Sequence, residues 1–160
     1  YYYFMFENFF NHININKENI HIPNGETTDP EAECASYEAA IEAAGGIDLQ
    51  VLGIGQNGHI GFNEPGDFLE STTHITTLTQ STIAANSRFF ESIDDVPKKA
   101  LTSGMGTILK SKKIIILASG KAKSEAVKSL LSGKITTQNP STMLNLHKDV
   151  TLIADEDALL

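Results

Sequence analysis

The densest group of chemically capable residues is the segment Gly53-Ile54-Gly55-Gln56-Asn57-Gly58-His59-Ile60-Gly61-Phe62-Asn63-Glu64-Pro65. His59 is the side-chain type that exchanges protons near neutral pH. Glu64, close behind it in sequence, is a carboxylate that can fix the imidazole tautomer and stabilise its protonated form. Asn57 adds an amide within the same segment. Four glycines in nine residues, Gly53 to Gly61, let backbone N–H groups approach a bound molecule closely. The segment lacks the third glycine of a dinucleotide loop, and it lacks the Gly-Lys-Ser/Thr ending of a nucleotide phosphate loop. Proton transfer on a small molecule is the chemistry these residues suit.

Such a loop needs a rigid strand to carry it. Ile47 to Gly53 reads as a buried strand leading directly into the loop, and at the carboxyl end of a parallel strand α/β folds bind ligands. Ile114-Ile115-Ile116-Leu117-Ala118 reads as a second buried strand, parallel in type because it shows no alternation. Ser119-Gly120 then turns into a helix from about Lys121 to Ser132, with Ala122, Ala126, Val127, Leu130 and Leu131 near one face and Gly133 as its cap. Val150 to Ala154 is the last strand. Upstream, Thr28-Asp29-Pro30-Glu31 predicts a helix start capped by Thr28, running through an Ala-rich segment to Ala44 before Gly45-Gly46. A short strand is expected around Asn19 to Ile22, and the Thr-rich stretch Ser71 to Ser81 carries no clear element. Strand, loop, helix, strand is an α/β order around a parallel sheet.

Composition excludes several other classes. The chain has 160 residues, a net charge of −8 and 41% hydrophobic residues. That balance disfavours nucleic acid and anionic membrane as partners, since both need a basic face. A single cysteine, Cys34, leaves no internal disulfide and no cysteine-cluster metal site, and it is expected as a small buried residue. His12, His21, His74 and His147 lack metal-ligand spacing, so no metal and no cofactor are expected. No apolar run reaches the ~20 residues of a membrane helix and no signal peptide opens the chain, so the expected setting is cytoplasmic. The aromatic opening, Tyr1-Tyr2-Tyr3-Phe4-Met5-Phe6, has rings that need a partner to bury them, and it reads as part of something longer.

The pattern Gly-x-Gly-x-Asn-Gly-His-Ile-Gly-Phe-Asn-Glu-Pro resembles the active-site loop of the glucosamine-6-phosphate deaminase (glucosamine-6-phosphate isomerase) family. The resemblance extends through Glu31-Ala32-Glu33-Cys34 with Tyr37, Ala85-Asn86-Ser87-Arg88-Phe89-Phe90, Val96-Pro97-Lys98-Lys99-Ala100-Leu101-Thr102 and Ser119-Gly120-Lys121-Ala122-Lys123. It implies a doubly wound, mainly parallel sheet with flanking helices, a Rossmann-like sugar-phosphate isomerase/deaminase fold incomplete at its N-terminus. Residues 1–160 would then be the larger, C-terminal part of a single domain. The implied reaction takes glucosamine 6-phosphate and water to fructose 6-phosphate and ammonia, in amino-sugar catabolism. His59 matches the family's ring-opening residue, with Asn57 and Glu64 as its partners. Some members carry Asp in place of Asn57, and an amide can position His59 without adding charge. Arg88 and Lys123 match the phosphate-binding cations. For Lys123 the start of a helix favours an anion independently of the resemblance.

Two departures accompany the resemblance. The family's enolisation base is an Asp in an Asp-Glu-Tyr segment, and neither that segment nor the Thr-Gly-Gly phosphate loop occurs in this sequence. The acidic runs Asp94-Asp95 and Asp155-Glu156-Asp157 read as solvated faces, so the chain by itself is expected to be inactive. In allosteric members, Ser, Arg and Lys after the loop bind N-acetylglucosamine 6-phosphate. Here the stretch reads Gly66-Asp67-Phe68 and Thr73-His74-Ile75-Thr76, so a non-allosteric type is expected. Two alternatives share the fold. A non-catalytic sugar-phosphate sensor needs no His–carboxylate pair, and a 6-phosphogluconolactonase-like hydrolase does not carry the Phe62-Asn63-Glu64-Pro65 ending.

Overall fold

A computed structural model describes all 160 residues. In chain order the helices and strands are α1 (Tyr2–Asn8), α2 (Pro30–Ala43), β1 (Leu49–Gly53), β2 (His74–Thr77), α3 (Gln80–Asn86), β3 (Lys99–Thr102), α4 (Met105–Leu109), β4 (Lys113–Ala118), α5 (Ser124–Leu131), β5 (Val150–Ala154) and α6 (Glu156–Leu159). β1, β4 and β5 form a parallel sheet in the order β1-β4-β5, with Leu52 opposite Ile116 and Ile116 opposite Leu152. This is the α/β architecture with a parallel sheet and flanking helices that the sequence predicts. No helix is long and apolar enough to cross a membrane.

The core lies on one face of this sheet. Leu52, Ile114, Ile116 and Ala118 point into it and meet Ile108 of α4, Val127 and Leu130 of α5, and Leu144 of a 3-10 turn, Pro140–Leu146. The opposite face is bare. Leu49, Val51, Leu117 and Ile153 are each about half exposed, so β1 and β4 are buried on one side only, not on both as expected. The even spacing of strand side chains explains the split, because successive residues face opposite sides whatever their polarity. For the same reason the uniform Ile-Ile-Ile-Leu run hid an alternation in burial.

Several local expectations change. The cap of α2 is Asp29, whose carboxylate accepts the Ala32 N–H at 3.0 Å, and not Thr28. No strand forms at Asn19 to Ile22; a 3-10 turn, Lys17–Asn19, stands there instead, followed by unpaired chain. The Thr-rich stretch holds β2, which pairs antiparallel with β3 as a separate two-stranded sheet, His74 opposite Thr102. Both strands are short and polar, which hides them from any search for apolar periodicity. In the helix after Gly120, Ala126, Val127 and Leu130 are buried, but Ala122 and Leu131 face solvent. Lys121–Lys123 forms a 3-10 turn before α5 begins, which takes Ala122 off the α-helical register, and Leu131 is the last residue of α5.

Candidate active site

β1 and β4 are neighbours, so the loops leaving their carboxyl ends lie side by side, with Gly53 opposite Leu117. The loop after β1 folds back on itself through the Gly55 N–H to His59 carbonyl bond (2.9 Å) and the Gly58 N–H to Gly55 carbonyl bond (3.0 Å). Two glycines are required by this turn. A Cβ on Gly55 would enter the His59 imidazole. Gly58 has φ +81° and lies against the Asn139 side chain. The far end of the loop is pinned to β3 and the residue after it. Thr102 Oγ1 accepts the Phe62 N–H at 3.0 Å, and the Asn63 amide donates to the Ser103 carbonyl at 2.8 Å.

This fold brings Asn57, His59 and Glu64 together. His59 Nδ1 lies 3.4 Å from Glu64 Oε2, an ion-pair distance rather than a short hydrogen bond. Asn57 Nδ2 donates to the same oxygen at 2.8 Å, and Asn57 Oδ1 accepts the His59 N–H at 3.2 Å. Asn57 therefore ties the carboxylate to the backbone of the histidine. The other carboxylate oxygen, Oε1, accepts the Thr82 hydroxyl at 2.5 Å and the Thr79 hydroxyl at 3.3 Å. Burial pushes the Glu64 carboxyl up, but His59, Thr82 and Asn57 together outweigh it and bring its pKa down to about 2. Glu64 is an anion throughout the neutral range. With Nδ1 turned towards it, Nε2 is the ring nitrogen directed elsewhere and suited to exchange a proton with a ligand.

Arg88 and Lys123 lie near enough for their charges to interact. Arg88 sits in a 3-10 turn, Ser87–Phe89, that continues α3, with its guanidinium 4.7 Å from the Phe89 ring centroid. Lys123 closes the 3-10 turn that follows Gly120, whose φ of +84° reverses the chain after β4. Partial burial, and then the charge of Arg88, push the Lys123 ammonium below its ordinary pKa. Neither cation belongs to the chain's ion pairs, which are His59–Glu64, Lys112–Asp48 and Lys128–Glu125. Both are therefore cations without an ion-pair carboxylate of their own in an acidic chain.

The supporting residues were not apparent in the sequence. Thr79 lies in the Thr-rich stretch and Thr82 just past its end, and a threonine's role in holding a carboxylate leaves no spacing signal. Asp155 is exposed, as expected of a solvated acidic face, but it also accepts from the Ser119 hydroxyl (2.5 Å), the Gly120 N–H (2.9 Å) and the Ala158 N–H (2.9 Å). It thus caps α6 and holds the turn that carries Lys123; a residue caps a helix when it immediately precedes it, as here. Glu38 of α2 accepts from the Thr73 N–H (2.7 Å), the Thr73 hydroxyl (2.5 Å) and the Thr107 hydroxyl (2.7 Å), which ties α2 to β2 and α4. Cys34 is buried on α2, as expected. His147 donates from Nε2 to the Ser111 carbonyl (2.7 Å) and accepts the Asp149 N–H at Nδ1 (3.0 Å), a satisfied structural histidine. No group of three or more His, Cys, Asp or Glu side chains converges in a way that would hold a metal ion.

The parallel sheet with flanking helices, carrying the His59 loop at the carboxyl end of β1, is the Rossmann-like α/β architecture of sugar-phosphate isomerases and deaminases. The chain belongs to the glucosamine-6-phosphate isomerase/6-phosphogluconolactonase family, whose model matches residues 2–153. It is 62% identical to a glucosamine-6-phosphate deaminase of Thermoanaerobacter sp. (strain X514) over 158 residues, covering 99% of this chain and 62% of that protein. A Clostridium perfringens (strain ATCC 13124) protein of the same name is 61% identical, over 99% of this chain and 65% of its own length. The chain therefore spans less than two thirds of these relatives. Among solved structures, a monomeric glucosamine-6-phosphate deaminase superimposes with a TM-score of 0.96 at 51% identity, covering all of this chain and 67% of that one. A 6-phosphogluconolactonase from Thermotoga maritima shares the fold, with a TM-score of 0.66 at 22% identity.

Proposed function

We propose that residues 1–160 carry the ring-opening and phosphate-binding part of a glucosamine-6-phosphate deaminase. The Asn57–His59–Glu64 cluster is the observation that carries this reading. His59 would take the proton of the anomeric hydroxyl and return one to the ring oxygen, opening the pyranose to its aldehyde. Glu64 holds the imidazolium that forms between the two transfers, and Asn57 keeps the carboxylate in place. Arg88 and Lys123 would receive the 6-phosphate, and its negative charge would relieve the repulsion between them. Moving the proton from C2 to C1, with hydrolysis of the C2–nitrogen bond to release ammonia, requires a further base.

No Asp-Glu-Tyr segment for that base occurs in this chain, and one apolar face of its sheet is uncovered. We infer that the chain is the larger, C-terminal part of a single deaminase domain and does not turn over alone. Asp67 and His74 stand where allosteric members carry effector-binding residues, so the whole enzyme would not respond to N-acetylglucosamine 6-phosphate. Ammonia release tests the reading. The purified chain should release none from glucosamine 6-phosphate. A fusion preceded by the upstream part of the Thermoanaerobacter relative should release it, and His59→Gln in that fusion should abolish turnover while leaving binding. Turnover by the chain alone, or an active His59→Gln fusion, would overturn the assignment.

A further inference from the structure

Glu64 is held at both oxygens, and the two sets of partners differ in kind. Oε2 faces the reacting side, towards His59 Nδ1 and the Asn57 amide. Oε1 faces inward, where the Thr82 hydroxyl donates to it at 2.5 Å from a side chain that is 4% exposed. The Thr82 hydroxyl has one proton, and because an ionised carboxylate can only accept, that proton is directed at Glu64 Oε1. The backbone of Thr82 is fixed as well. Its N–H is capped by Thr79 Oγ1 at 3.3 Å, and its carbonyl accepts the Asn86 amide at 2.8 Å. A carboxylate can rotate about its last torsion, and that torsion is broad and soft. With only the 3.4 Å contact to His59 and the Asn57 amide, the plane of Glu64 would be poorly defined.

We propose that Thr82 is the positioning residue of the acid–base group: its hydroxyl pins the inner oxygen of Glu64 and so fixes the outer oxygen against His59 and Asn57. This rests on the reading of His59 as the proton-transfer group but is measurable without turnover. Thr82 also stands in the first turn of α3, and the same helix leads directly into the turn bearing Arg88. The residue that orients the proton-transfer end is thus part of the element that places the phosphate-binding end.

The test is NMR on the 160-residue chain, with carbon-labelled Glu and nitrogen-labelled His, for Thr82→Val and Thr82→Ser. Val keeps the shape and removes the donor; Ser keeps the donor. In the unaltered chain the Glu64 carboxyl signal should stay that of an anion at about pH 4, where ordinary Glu side chains are about half protonated. In Thr82→Val its midpoint should rise by about one pH unit or more, and the His59 ring nitrogens should change from one tautomer pattern to a mixture. Thr82→Ser should restore both signals. If burying Val costs the fold, Thr82→Ala leaves space and should show the same shift. An unmoved Glu64 titration with an unmoved His59 pattern in the folded Val or Ala variant would overturn the proposal. Loss of both signals in Ser as well would assign Thr82 to packing alone and overturn it too. Absence of ammonia release from the longer fusion would refute the deaminase reading while leaving this result standing.

Discussion

At the scale of single residues, the site concentrates its stabilising contacts on one carboxylate. Glu64 receives an amide, two hydroxyls and a histidine, so its folded pKa, about 2, lies below the ordinary value for Glu. A lowered folded pKa stabilises the fold above the unfolded pKa, and the contribution is lost as pH falls through the folded one. Unfolding free energy should therefore decline between about pH 5 and pH 2. Glu64→Gln should cost about 2 kcal/mol at pH 7 and remove most of that decline, as urea melts across the range will show. Gly58 gives a second prediction. With φ +81° and Asn139 against it, Gly58→Ala should destabilise by about 2 kcal/mol, measured by the same melts. The candidate proton-transfer cluster was readable because Asn57, His59 and Glu64 lie within one loop. Thr79, Thr82 and Asp155 were not, since hydroxyls and cap carboxylates acquire their roles only when distant segments meet.

At the scale of elements, two short turns do the positioning. α3 joins Thr82 at its first turn to Arg88 just past its end, and the Ser119-Gly120 turn, held by Asp155, presents Lys123. The residues that bury α3, Thr82 and Ile83, lie no further than its midpoint. Inserting one alanine after Ala85 would leave them in place and rotate Arg88 by about 100°. Binding of glucosamine 6-phosphate should then weaken about tenfold or more while the thermal melt changes little; unchanged affinity by calorimetry would show that Arg88 does not need this register. The parallel strands and the Ala-rich α2 were legible because their composition is strong. β2 and β3 were not, because four-residue polar strands satisfy each other's backbone without an apolar stripe. The helix after Gly120 was legible in existence and, for Ala126, Val127 and Leu130, in its buried face; Ala122 departs because a 3-10 turn precedes the α-helical part.

At the scale of the whole chain, the sheet is packed on one side and open on the other. The contrast falls between adjacent residues of β4: Ile116 is fully buried and Leu117 is 45% exposed. Ile116→Ala should cost about 3 kcal/mol, whereas Leu117→Ala should cost less than about 1 kcal/mol; chemical denaturation of the 160-residue chain distinguishes them. Sequence could not separate these two positions, because both are aliphatic within one unbroken run. The net charge of −8 has a matching consequence. An acidic chain attracts a phosphate ester only where cations gather, and the charge of Arg88 reaches Lys123. Calorimetric titration of the chain with glucosamine 6-phosphate, beside unphosphorylated glucosamine, tests this most directly. The phosphate ester should bind and glucosamine should not, with binding lost in Arg88→Gln and in Lys123→Gln. Equal binding of both sugars, or affinity unchanged in either variant, would contradict the assignment of these residues as the seat of a sugar phosphate.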